Sequence, residues 1–144
     1  MARTSTASAT WNGTLKEGDG RFEARSGAFR GEYSFLTRFE NQAGTNPEEL
    51  IAAAHAACLS MALSAGLEKA GTPATTITTT AHCTIEVSEA GPRISAMRLV
   101  VRGTVAGIDQ DTFQQAAQEA KSGCPVSRAL QGNVALELVV TLET

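Results

Sequence analysis

Thr45-Asn46-Pro47-Glu48-Glu49-Leu50-Ile51-Ala52-Ala53-Ala54-His55-Ala56-Ala57-Cys58-Leu59-Ser60 decides the architecture. Asn46 is a good N-cap, Pro47 suits the first helical position, and Glu48 and Glu49 complement the positive end of the helix dipole. The pattern predicts a helix from Pro47 to about Ala70, stopped at Gly71 with Pro73 just beyond. From Ile51 to Ala65 the run carries Ala, Leu, Met, Cys, Ser and His and no formal charge. A helix apolar on most faces is a buried one. A chain of 144 residues rarely encloses such a helix alone, so a second subunit is expected to complete its burial.

Outward from this helix the pattern changes to strands. On the N-terminal side, short segments around Ala7–Trp11, Arg21–Ser26 and Tyr33–Phe39, separated by Gly-containing turns, predict an antiparallel meander. On the C-terminal side, Thr75–Val87 alternates, placing Ile77, Thr79, Ala81, Cys83, Ile85 and Val87 on one face. A turn at Glu89–Pro92 leads to Ile94–Val105, where Met97, Leu99, Val101 and Val105 oppose Arg98 and Arg102. Asp109 or Asp111 starts a helix to about Lys121, Gly123-Cys124-Pro125 restarts a short one to about Leu130, and Val134–Leu142 is a final alternating strand. The expectation is a single α+β domain over residues 1–144, with helices packed on antiparallel sheets.

Composition narrows the function. The formal net charge of −3 offers no basic stripe for nucleic acid. No uninterrupted apolar run reaches the roughly 18 residues of a membrane span. Met1–Thr10 is rich in Ser, Thr and Ala but has no apolar core of a secretory signal, and reads as a ragged start into the first strand. Three cysteines make no disulfide framework, and in a cytoplasmic chain a Cys–Cys bond is more often transient and catalytic than structural.

The cysteines differ in setting. Cys83 is mid-strand on the apolar face and reads as packing, with His82 pointing the other way. Cys124, followed by Pro125, stands at a helix N-cap, where unpaired amides favour thiolate; a plain cap is the competing reading. Cys58 lies inside the apolar helix, where burial alone makes a thiol inert and a nearby cation reverses that. His55, one turn earlier, and Arg38, expected on a strand, are the candidates to influence it. His55 and Cys58 are also half of a zinc site, but no CxxC or HxxxH completes the set, so no metal is assigned.

Gly44–Cys58 and Ala120-Lys121-Ser122-Gly123-Cys124-Pro125-Val126-Ser127, supported by Ala9–Gly13 and Thr37-Arg38-Phe39-Glu40, resemble the osmotically inducible protein C and organic hydroperoxide resistance peroxidases. Order and spacing agree along almost the whole chain, and the arginine just before the long helix, with Glu49 and His55, is similar to the osmotically inducible branch. The resemblance implies an intertwined homodimer, with sheets wrapped around long central helices. It implies that Cys58 is the peroxidatic cysteine and Cys124 the resolving one, with Arg38 and Glu48 organising the thiolate. Glu49, His55 and Leu59 are expected to face substrate. The implied partners are an organic hydroperoxide and a dithiol reductant of lipoyl type, with no cofactor, nucleic acid or membrane. The competing expectation is a redox-responsive or ligand-binding homodimer without turnover.

Glu48 and Cys58 are ten residues apart, about 15 Å along a straight helix, so the two cannot easily share a site within one subunit. Glu48 is therefore expected to meet the Cys58 of a second copy, unless the helix breaks between them.

Overall fold

The computed structural model describes residues 1–143 and divides into two compact units, residues 1–50 and the described residues from 51 onward. In the first, strands β1 (Ala7–Asn12), β2 (Asp19–Ala24) and β3 (Arg30–Tyr33) form the expected antiparallel meander in the order β1-β2-β3. Phe22 packs against Phe29 and Tyr33, and Tyr33 against Trp11, giving the sheet an aromatic face.

The expected strand over Tyr33–Phe39 is corrected: β3 ends at Tyr33 and Phe35–Phe39 is a short helix, α1. Ser34 and Thr37 form a reciprocal capping box, in which each side-chain oxygen accepts from the other residue's backbone N–H. Two donors satisfied three residues apart start a helical turn despite the β-favouring aromatic residues. Arg38 thus stands on a helix.

Helix α2 (Pro47–Lys69) is unbroken, and its start is the one the sequence predicts, with Asn46 Oδ1 accepting from the Glu49 amide at 2.8 Å. At its end Gly71 has φ +82°, a conformation that favours glycine, and the Gly71 and Thr72 amides close onto the Glu68 and Leu67 carbonyls. One expectation about this helix changes. One 18-residue window has mean hydropathy 1.8, so by length and composition alone α2 could cross a bilayer, because Ala, Ser and Gly barely dilute its Leu and Ile. The single chain also buries only one stripe, His55, Leu59, Leu63 and Leu67, at the i, i+4 spacing of one helix face. Ala53, Ala54, Ala57, Met61 and Ala65 remain exposed, Met61 at 75%.

In the second unit β4 (Ala74–Ser88), β5 (Gly91–Val105) and β6 (Ala135–Glu143) form a sheet in the order β4-β5-β6. The inward face of β4 is half-buried from Ile77 to Ile85, whereas Val87 departs from the expected alternation at 68% exposed, near the hairpin tip. Met97, Leu99 and Val101 of β5 are fully buried against Leu59, Leu63 and Leu67. β6 pairs with β5 in parallel, Leu99 opposite Leu138, which corrects the all-antiparallel expectation. A parallel pair needs a crossover of a dozen residues or more. Helices α3 (Gln110–Gly123) and α4 (Pro125–Leu130) supply it. Asp109, rather than Asp111, caps α3 through the Thr112 amide. Phe113 of α3 seats on Gly103 of β5 so closely that an added Cβ would meet its ring at 2.4 Å. This crossover returns the chain beside α2 and sets Cys124, the residue between α3 and α4, into the core at 0% exposure.

Candidate active site

The fold brings Cys58 and Cys124 together. The two thiols lie close enough for each to shift the other's ionisation, Cys58 from the middle of α2 and Cys124 from the cap of α4, and all three cysteines of the chain are free. Their electrostatic settings are opposite. Burial pushes the Cys58 thiol up and adjacent Cys124 adds to that, against a partial offset from the Val126 amide. Burial pushes Cys124 up too, but the Ser127 amide, the Ser127 hydroxyl, the Cys58 thiol and the Val126 amide together outweigh it and leave it lowered. Cys124 closes no regular side-chain cap bond, so the effect is that of several donors converging on one sulfur. Access is reversed: Cys58 is half-buried and Cys124 fully enclosed.

Arg38 and Glu48 form the best-defined ion pair of the first unit. Arg38 Nη2 lies 2.7 Å and Nε 3.1 Å from Glu48 Oε1, and Nε 3.3 Å from Oε2. Glu48 is 4% exposed, and the Arg38 guanidinium also lies over the Phe39 ring. A forked guanidinium–carboxylate pair fixes the arginine's direction as well as its charge.

The three residues expected to face substrate separate. Glu49 is exposed and accepts from the Thr45 hydroxyl at 2.7 Å. His55 and Leu59 are both 0% exposed in the single chain, Leu59 within the core and His55 with Nε2 2.7 Å from Ser127 Oγ. Desolvation lowers the His55 pKa, favouring the neutral ring. Ser127, itself 1% exposed, is a site residue that sequence reasoning passed over. Its only signal there was a polar residue three positions after a capping cysteine. Cys83 is half-buried and packs against the core opposite Met97, as expected. Ser60 is engaged with Thr79 at 2.8 Å. Among the described residues no three His, Cys, Asp or Glu side chains converge as metal ligands.

Comparison with known proteins gives this geometry its context. A family model described as OsmC-like protein matches residues 39–139, across both thiols. Peroxiredoxin OsmC of Escherichia coli K12 is 47% identical over 130 residues, covering 90% of this chain and 91% of the relative. Among solved structures, the organic hydroperoxide resistance protein OhrB of Bacillus subtilis superposes with TM-score 0.76 at 27% identity, over 94% of this chain and 98% of that one. An organic hydroperoxide resistance protein from Elizabethkingia anophelis gives TM-score 0.76 at 25% identity, over 99% and 100%. With two thirds of its length inside the family match, the chain belongs to the OsmC-like protein family.

Proposed function

We propose that the protein is a thiol peroxidase that reduces organic hydroperoxides to alcohols through Cys58 and Cys124. The observation that carries this is that Cys58 and Cys124, from separate helices, pack in one cluster and influence each other's ionisation. The names of the relatives, a peroxiredoxin and organic hydroperoxide resistance proteins, support the reaction class.

The Cys58 thiolate attacks the terminal peroxide oxygen; the O–O bond breaks, the alkoxide takes a proton and leaves as alcohol, and Cys58 becomes a sulfenic acid. Cys124 then attacks the Cys58 sulfur and water leaves, giving a Cys58–Cys124 disulfide. An external dithiol of lipoyl type reduces that bond to two thiols and is itself oxidised to a disulfide. Access supports this order, because a hydroperoxide can reach half-buried Cys58 and not enclosed Cys124. Beside Cys58 on α2, exposed Ala54, Ala57 and Met61 offer an apolar wall suited to an alkyl group.

Cys58 needs a cation, since within its own unit its thiol is held up. Arg38 of the partner subunit fills that need in a two-fold dimer, with the partner's Glu48 holding its fork. The unbroken α2 supports a cross-subunit arrangement, because it keeps Glu48 about 15 Å along the axis from its own Cys58. Exposed Ala53 and Ala65 of α2 are a surface for two such helices to cover each other. Its exposure supports Glu49 as the residue of its group that meets substrate, while His55 and Leu59 are enclosed. The family match runs through both units, which supports one functional domain. The cytoplasm is the compartment we propose for it, since a catalytic thiol pair works where thiols are kept reduced.

The deciding experiment treats reduced protein with one equivalent of an organic hydroperoxide, counts thiols and maps the bond by mass spectrometry. Two thiols lost and a Cys58–Cys124 disulfide are expected. Three thiols retained, or a bond to Cys83, would overturn the cycle and bring the non-catalytic reading forward. Mixing Glu48→Gln and Cys58→Ser chains tests the subunit exchange, because a mixed dimer rebuilds one intact site only if Glu48 serves the partner. No recovered activity would break the cross-subunit arrangement.

A further inference from the structure

His55 and Ser127 are the buried polar pair that the peroxidase cycle above leaves without a task. His55 is one turn before Cys58 on α2, and Ser127 is three residues after Cys124 on α4, so their 2.7 Å bond ties together the two helices that carry the thiols. Both side chains are almost wholly out of water, where a polar group kept without purpose is costly.

The partners assign the protons. His55 Nδ1 is buried and has no hydrogen-bond partner among the described residues. A buried N–H left without an acceptor is rarer than an acceptor left without a donor, so the hydrogen belongs on Nε2. Nε2–H then donates to Ser127 Oγ, which leaves the Ser127 O–H to donate onward, and Ser127 stands in the first turn of α4 with Cys124 as the cap, where its hydroxyl and amide favour the charged sulfur. The result is a directed row from His55 through Ser127 to Cys124, in which each donor strengthens the next.

We propose that His55 and Ser127 form a buried hydrogen-bond relay that positions Cys124 for its attack on the Cys58 sulfenic acid. The inference rests on the peroxidase reading and assigns the resolving half of it. The relay itself gives up no proton. Cys124 sulfur bonds to Cys58 sulfur, the Cys58 S–O bond breaks, and the departing hydroxide combines with the proton Cys124 has already released, leaving as water. His55 and Ser127 are positioning residues here, because they act through Cys124.

The test labels the cysteines of the reduced full chain with carbon-13 and follows the Cys124 Cβ shift against pH, which reads ionisation without requiring access to the buried sulfur. Ser127→Ala is expected to raise the Cys124 midpoint by about one unit, a roughly tenfold loss of thiolate below it. Ser127→Thr, which keeps the hydroxyl, is expected to restore the wild-type midpoint, and His55→Leu to raise it by less than Ser127→Ala does. Should His55→Leu not fold, the two Ser127 variants still decide the matter. A Cys124 midpoint unmoved in Ser127→Ala, or unrestored in Ser127→Thr, would overturn the relay. Disulfide formation with one equivalent of hydroperoxide, run on the wild type, separates the two ideas: its absence sinks the peroxidase reading, whereas its presence with an unmoved midpoint sinks the relay alone.

Discussion

Cys58 and Cys124 touch, yet the more deeply buried of the two is the more acidic. Cys124 is fully enclosed and lowered, whereas Cys58 is half-buried and raised. Depth therefore does not rank these thiols. The difference is in the donors: Cys124 sits at a chain break, where the Val126 and Ser127 amides have no helical acceptor, while Cys58 sits mid-helix, where the backbone donors around it are already bonded. A helix interior supplies position and a helix start supplies charge stabilisation. The proposed cycle uses both, and it requires an outside cation for the first thiol only.

The contrast is broken most directly by deleting each thiol. Cys58→Ser is expected to lower peroxidase turnover by more than ~10³-fold, as loss of a nucleophile does. Cys124→Ser is expected to retain one fast turnover and then stall as a Cys58 sulfenic acid, visible as a mass gain of about 16 Da, one oxygen. Equal behaviour of the two variants in a single-turnover assay would erase the division of roles.

Leu59 sharpens the structural side of the comparison. It is 0% exposed beside Cys58, and Leu59→Ala is expected to cost about 2–5 kcal/mol in denaturant unfolding. A loss under about 1 kcal/mol would mean that Cys58 is not anchored by the core stripe. Arg38→Lys keeps the charge but loses the fork on Glu48, and a fall of about 10-fold or more in the rate of Cys58 oxidation is expected. An unchanged rate would show that charge alone suffices.

The smallest effect concerns pH. The folded His55 pKa lies below its ordinary 6.5, so the unfolded chain binds more protons between the two values. The stabilisation from neutral His55 is complete above about 6.5 and lost as pH falls through the lowered folded value. His55→Gln is expected to flatten this part of a melting-temperature against pH curve. A wild-type slope that survives the substitution would assign the acid sensitivity elsewhere.

Much of this could be read along the chain, and the exceptions share a cause. Asn46, Pro47 and Gly71 mark the ends of α2 because caps and breakers act within a few residues, and the alternation of β4 and β5 marks the inward face for the same reason. Phe35–Phe39 reads as strand because its aromatic residues favour β structure, while two hydroxyls three apart override them. The parallel direction of β6 is not written in its alternation, which is identical in either orientation; the length of the α3–α4 crossover decides it.

The candidate site divides along the same line. Local sequence determined that Cys124 caps a helix, that Cys58 lies within an apolar one, and that Glu48 begins it ten residues earlier. Only the tertiary structure decided that the two thiols meet, that Arg38 locks onto Glu48, and that His55 ends on Ser127 rather than in the open. Caps and periodicity are set by neighbours a few residues away, whereas a hydrogen bond across 72 positions exists only once the core has closed around it.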